Sequence, residues 1–121
     1  MSLNKVMLIG NVGRDPEIRY VAPDVAVATI TLATTNNAYT AKDGTKVPES
    51  AEWHTIILWN NLAKRVEQYI QKGDKIYVEG SLHNRTYTDR AGNSRNRYEI
   101  WAEKIEIFNF HNNAPKDPPK V

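Results

Sequence analysis

The side chains with the most to offer chemically are aromatic and cationic. Trp53 and Trp59, six residues apart, lie in Glu52-Trp53-His54-Thr55-Ile56-Ile57-Leu58-Trp59-Asn60, a run with β-branched and aromatic residues at strand density. Side chains alternate across a strand, so Trp53, Thr55, Ile57 and Trp59 point one way and His54, Ile56 and Leu58 the other. The two indoles then share a face, roughly 20 Å apart at strand rise. Two flat rings on one face form either half a core layer or a platform for stacking other rings. Tyr39 has only Ala38 and Ala41 as apolar neighbours, so a core role is hard to arrange. Tyr87 follows Arg85 just before a hairpin signal and reads as exposed. Tyr20, Tyr69, Tyr77, Tyr98, Trp101 and Phe108 read more simply as core, interface or strand-pairing residues.

The cations are unevenly spread. Between His83 and Tyr98, Arg85, Arg90, Arg95 and Arg97 face a single acid, Asp89, while Glu99, Glu103 and Glu106 follow. The net charge of +2, from 16 basic and 14 acidic residues, is a weak global argument for a polyanionic partner. Aromatics interleaved with positive charge are a stronger one. Stacking a base on an aromatic ring contributes about 1–3 kcal/mol whatever the base, and Lys and Arg contact phosphates.

Catalysis finds little support. His54, His83 and His111 have no partner at metal-ligand spacing, and His54 reads as a core or interface histidine. The absence of cysteine excludes disulfides, thiolate zinc sites and cysteine nucleophiles, and favours a cytosolic location. Gly10-x-x-Gly13 lacks the GK[ST] ending of a phosphate loop and reads as strand-end punctuation. No serine sits in a nucleophile elbow. Glu103 and Glu106 read as solvated charge. The expectation is a non-enzymatic protein with no cofactor and no metal.

The elements that must position these residues follow from pattern. A chain of 121 residues suits one domain. It has no apolar run of membrane-spanning length, and Val6–Ile9 is too short for a signal peptide. Strands are expected over 3–12, 25–35, 52–60, 75–88 and 95–108, with a short extended piece over 17–21. The first strand is apolar on both faces, as in a central strand or a closed barrel. Residues 36–50 read as a long loop or flexible hairpin. Asn60 or Asn61 is expected to cap a helix running to about Gln71, with Leu62, Val66, Tyr69 and Ile70 on its apolar face and Gly73 as its stop. Asp89–Ser94 reads as a hairpin loop. The domain is expected over 1–110, followed by a disordered segment over 111–121 with nothing to bury. Five strands with one helix between the third and fourth match the five-stranded Greek-key barrel of the OB-fold. An open sheet with a helix laid over it is the competing architecture.

These residues also carry a resemblance. Asn4-Lys5-Val6-Met7-Leu8-Ile9-Gly10-Asn11-Val12-Gly13-Arg14-Asp15-Pro16-Glu17-Ile18-Arg19-Tyr20 is similar to the opening of bacterial single-stranded DNA-binding proteins. So are Ala28-Thr29-Ile30-Thr31-Leu32-Ala33-Thr34, Glu52-Trp53-His54, Leu62-Ala63, Tyr69-Ile70-x-Lys72-Gly73 and Tyr77-Val78-Glu79-Gly80. The match runs from Asn4 to about Phe108. It implies an OB-fold, a homotetramer, and binding of single-stranded DNA with little sequence preference in replication, recombination and repair. The family's stacking aromatics match Tyr39, Trp53, Trp59 and Tyr87. Asn4, Val6, Leu8 and His54 fall at the implied subunit interface. Lys5, Arg19, Lys42, Lys46, Lys72, Arg85, Arg95 and Arg97 are the expected phosphate contacts, with the loops over 36–50 and 88–95 closing on the strand. Thr55, Asn61 and Thr86 stand where relatives carry a basic residue, which implies weaker phosphate contact there. The family's acidic, Phe-terminated tail, which recruits replication and repair proteins, has no counterpart before Val121. The resemblance implies a cytoplasmic, nucleoid-associated protein. An OB module for RNA or for primosome-type replication partners is the alternative.

Overall fold

The structure is a computed structural model and describes residues 1–108. The expected disordered segment over 111–121, and His111, lie outside the described residues. In chain order the elements are β1 (Val6–Val12), β2 (Glu17–Ala22), β3 (Val25–Asn36), β4 (Tyr39–Thr40), β5 (Lys46–Val47), β6 (Ser50–Trp59), α1 (Asn61–Tyr69), β7 (Lys75–Thr88) and β8 (Ser94–Ile107).

The main sheet closes on itself. Its strands run β1-β7-β8-β6-β3-β2, and β1 also pairs with β3 through Asn11–Ala33 and Val12–Leu32. The ring β1-β3-β6-β8-β7 is thus the five-stranded barrel expected, with β2 added outside it against β3. The seam between β6 and β8 is parallel, Ile56 opposite Ile100. Closure forces backbones together at two glycines. A Cβ at Gly10 would collide with the Ala33 carbonyl, and one at Gly80 with the Trp101 carbonyl. Gly80 sits at a register shift in the β7–β8 ladder, where an extra residue lets the strand bend around the barrel.

Alternation fills the interior. Ala26, Ala28, Ile30 and Leu32 of β3 meet Ile56 and Leu58 of β6, Ile76 and Val78 of β7, and Ile100, Ala102, Ile105 and Ile107 of β8. Burying each Ile, Leu or Val side chain contributes about 1.5–3 kcal/mol. Ala63, Val66 and Ile70 complete the core from α1, with Leu62 and Tyr69 partly buried beside them.

Val6 and Leu8, expected at the subunit interface, pack partly buried against the chain's own core. Met7 and Ile9 project outward instead, 62% and 52% exposed. The apolar character on both faces therefore reflects one core face and one open face. Asn4 extends this strand, its side chain exchanging hydrogen bonds with the Leu82 backbone at 2.8 and 2.9 Å.

The helix ends are corrected. Asn60 holds the N-cap position with φ 53° but makes no side-chain cap bond. Its N–H donates to the Ala26 carbonyl at 2.8 Å, and its carbonyl accepts from Lys64 N–H at 2.9 Å. Asn tolerates positive φ better than most residues. The helix stops at Tyr69, because Ile70 is already extended (φ −110°, ψ 133°). Gly73, expected as the stop, serves the following turn, where φ is 94° and Asp74 N–H donates to the Gln71 carbonyl at 3.1 Å.

Residues 36–50 are a hairpin rather than an open loop. Tyr39 pairs with Val47 and Thr40 with Lys46. Asp43 accepts from Thr45 N–H at 2.9 Å in its turn, and that bond holds the carboxyl below the ordinary aspartate range. Among the described residues no helix is long and apolar enough to cross a membrane.

Candidate nucleic-acid interface

The outward face of β6 presents the tryptophans as alternation requires. In the β3–β6 ladder, Trp53 lies opposite Ala33, Thr55 opposite Thr31, Ile57 opposite Thr29 and Trp59 opposite Val27. Trp53 is 62% exposed, so it is not a core ring. Its six-membered edge lies over Gly13, where a Cβ would strike it. Trp59 is half-buried and lines a groove of about 540 Å³.

That groove runs over the outer faces of β2, β3, β6, β7 and β8. Its floor is Thr29, Thr31, Thr55 and Ile57, and its cationic rim is Arg14, Arg19, Arg85 and Arg97. Arg14 Nε donates to Thr31 Oγ1 at 3.1 Å, which holds one guanidinium at the end of the floor. Arg97 lies 5.9 Å above the Tyr87 ring centroid, within cation–π range. The sequence-predicted residues Arg19, Trp59, Arg85 and Arg97 are thus brought together, with Tyr87 attached through Arg97.

Tyr39 and Lys46 meet elsewhere, around a shallow cavity of about 310 Å³ on the β4–β5 hairpin. Lys42 is exposed in the turn of that hairpin. Besides Lys42 and Lys46, three further expected phosphate contacts lie outside the groove lining. Lys5 is paired with Glu79 at 2.7 Å on the outer face of β1. That pair, then Tyr77, holds the Glu79 carboxyl below its ordinary range and raises the Lys5 ammonium. Lys72 sits in the turn before β7, its N–H donating to Asp15 Oδ1 at 2.9 Å. Arg95 is paired with Asp89 at 2.8 Å at the tip of the β7–β8 hairpin. His54, expected at an interface, is half-buried and shares a 2.9 Å hydrogen bond with Thr34 Oγ1.

Four groups in or beside the groove escaped the sequence reading. Trp101 stands edge-on to Trp59, centroids 4.9 Å apart, and stacks on His83 at 3.6 Å. His83 in turn shares a 2.9 Å hydrogen bond with Ser81 Oγ. Trp101 Nε1–H donates to Glu99 Oε1 at 3.1 Å. Glu99 is only 1% exposed yet forms part of the groove wall between Arg85 and Arg97. Arg14 is the fourth. A period-two reading of β8 would have found the first group, since Arg97, Glu99 and Trp101 share one face and Ile100 and Ala102 the other.

Flat rings beside paired guanidiniums, on the open side of a small barrel, can hold a chain of stacked bases and its phosphates. The comparisons agree with that chemistry. Residues 3–108 match the family model described as the single-strand binding protein family. A single-stranded DNA-binding protein of Bacteroides thetaiotaomicron is 48% identical over 108 residues, covering 89% of this chain and 67% of the relative. Single-stranded DNA-binding protein 1 of Xylella fastidiosa is 42% identical over 107 residues, covering 88% of this chain and 78% of the relative. Among solved structures, the Plasmodium falciparum SSB complex with ssDNA superposes with a TM-score of 0.80 at 30% identity, covering 90% of this chain and 97% of that one. The barrel, the groove on its open face and a match across nearly all the described residues make this chain a member of the single-strand binding protein family.

Proposed function

We propose that the chain binds single-stranded DNA with little regard to sequence and protects it during replication, recombination and repair. The observation that carries this is the groove in which Trp59 lies beside Arg14, Arg19, Arg85 and Arg97. Bases stack on the tryptophan face of β6, with Trp53 extending the platform and Tyr87 and Tyr39 supplying further rings. The arginines neutralise the backbone. Thr31, Thr55 and Arg14 make the groove polar enough to accept any base without a fixed hydrogen-bond code. The protein acts by binding, with no catalytic step, in the cytoplasm.

Assembly into a homotetramer is part of the same reading. The outward Met7 and Ile9 of β1 form an exposed apolar strip that a second copy would cover. Light scattering at micromolar concentration is expected to give an assembly, and Met7→Asp is expected to weaken it.

Competition tests the reading. A labelled oligo(dT) bound to the protein should be displaced by unlabelled oligo(dT) and hardly by duplex DNA of equal length. Equal displacement by duplex would count against base stacking. Stronger displacement by single-stranded RNA would move the assignment to RNA.

A further inference from the structure

Glu99 is an unusual wall for a groove that takes a polyanion. Its carboxylate is 1% exposed, while the guanidinium side chains on either side, Arg85 and Arg97, are 57% and 54% exposed. Oε1 accepts from Trp101 Nε1–H at 3.1 Å and faces Arg85 Nη2 at 3.5 Å. Oε2 is buried without a hydrogen-bond partner, and Arg97 Nη2 faces it at 4.0 Å. These ion-pair distances are long for hydrogen bonds. The anion is fixed and enclosed, whereas its two cations are long, exposed and able to swing.

We propose that Glu99 is a built-in stand-in for a DNA phosphate, which holds Arg85 and Arg97 in place between binding events and competes with DNA for them. This rests on the single-stranded DNA reading above. A carboxylate and a phosphate present guanidinium groups with the same kind of forked oxygen acceptor. Two arginines facing one carboxylate carry one net positive charge where two would otherwise act. When a phosphate draws a guanidinium toward it, the enclosed carboxylate loses its partner and repels the arriving charge. Binding is therefore weaker, and release faster, than the arginines alone would give. Glu99 is in this sense a positioning residue, acting through the two arginines and, by way of Trp101, on the ring next to Trp59.

The test uses the whole chain with Glu99→Gln, which keeps an acceptor for Trp101 and removes the charge. Oligo(dT) affinity is measured across a series of salt concentrations, and dissociation is followed by stopped flow. The variant is expected to bind about tenfold tighter at low salt and to release more slowly. Its plot of log affinity against log salt should steepen by about 0.7, the value of one extra neutralised phosphate on a single strand. Glu99→Met, similar in size and uncharged, leaves the Trp101 N–H without its acceptor, so for it only the salt slope is compared, which decides the matter should the glutamine variant fold poorly. Wild-type binding with equal or weaker binding by Glu99→Gln, or an unchanged slope in either variant, would overturn the proposal while leaving the DNA-binding reading intact. No binding by the wild type would overturn both.

Discussion

The indole of Trp101 stands edge-on to that of Trp59, with ring centroids 4.9 Å apart and planes at 76°. Trp101 is itself fixed twice, by its stack on His83 and by its hydrogen bond to Glu99. The angle of Trp59 in the groove is thus set from β7 and β8 as well as from its own strand. Trp101→Phe removes the N–H that serves Glu99. It is expected to cost about 1–3 kcal/mol in denaturant unfolding, the range for depriving a buried acceptor of its donor. DNA affinity per folded molecule should fall as well. Unchanged affinity would mean that Trp59 keeps its orientation without this support.

Trp53 and Trp59 separate stability from binding. Trp53 is exposed and contributes little packing, so Trp53→Ala is expected to leave the thermal midpoint nearly unchanged. It should nevertheless weaken oligo(dT) binding by about 1–3 kcal/mol. Trp59→Ala also removes the partner of Trp101, so it is expected to lower stability as well as affinity. Thermal melts beside titrations distinguish the two behaviours.

The glycines give a second contrast. At Gly10 and Gly80 an added methyl meets backbone carbonyls across the barrel, which only strand displacement can relieve. Gly10→Ala and Gly80→Ala are expected to destabilise by about 1–3 kcal/mol, as overpacking does. At Gly13 the methyl meets the exposed Trp53 ring, which can pivot away. Gly13→Ala is expected to spare stability and change the tryptophan emission and DNA affinity.

Asp89 organises the tip of the β7–β8 hairpin. The Arg95 hydrogen bond, then the Asn93 N–H, holds its carboxyl below the ordinary aspartate range. A carboxyl depressed in the folded state contributes stability that is complete above its unfolded pKa and lost as pH falls through the folded value. The hairpin tip is therefore expected to keep its order down to about pH 4, near the unperturbed aspartate value, and to loosen below it. Amide exchange at Ala91 and Asn93, whose N–H groups Asp89 accepts, would follow this directly. Arg95→Gln should move the transition to higher pH.

Much of this architecture was legible because strand period is short and strict. Alternation alone assigns Ile56 and Leu58 to the core and the two tryptophans to the opposite face. The β7 span, 75–88, was also readable, bounded by Gly73-Asp74 and by Asp89. The ambiguity lay where a residue type does not report its environment. Val6 and Leu8 look like Met7 and Ile9 in sequence, and only barrel closure decides which pair faces the core. Gly73 looks like a helix stop, yet Ile70, fully buried, has already left the helix. The expected phosphate contacts divide for the same reason. Arg97 shares a strand face with Trp101 and Arg85 lies opposite Arg97 on β7, whereas Lys5 and Arg95 are each held by a local carboxylate that no spacing rule singles out. Glu99 escaped because a charged residue on a strand is ordinarily solvated, and its burial arises from the rings and arginines around it.

The central claim is that one groove stacks bases on tryptophan and neutralises their phosphates. Titrating oligo(dT) into the protein while following tryptophan emission, at several salt concentrations, tests both halves together. The account predicts strong quenching at low salt and a log affinity that falls linearly with log salt. Unquenched emission at low salt, or an affinity that does not change with salt, would contradict it.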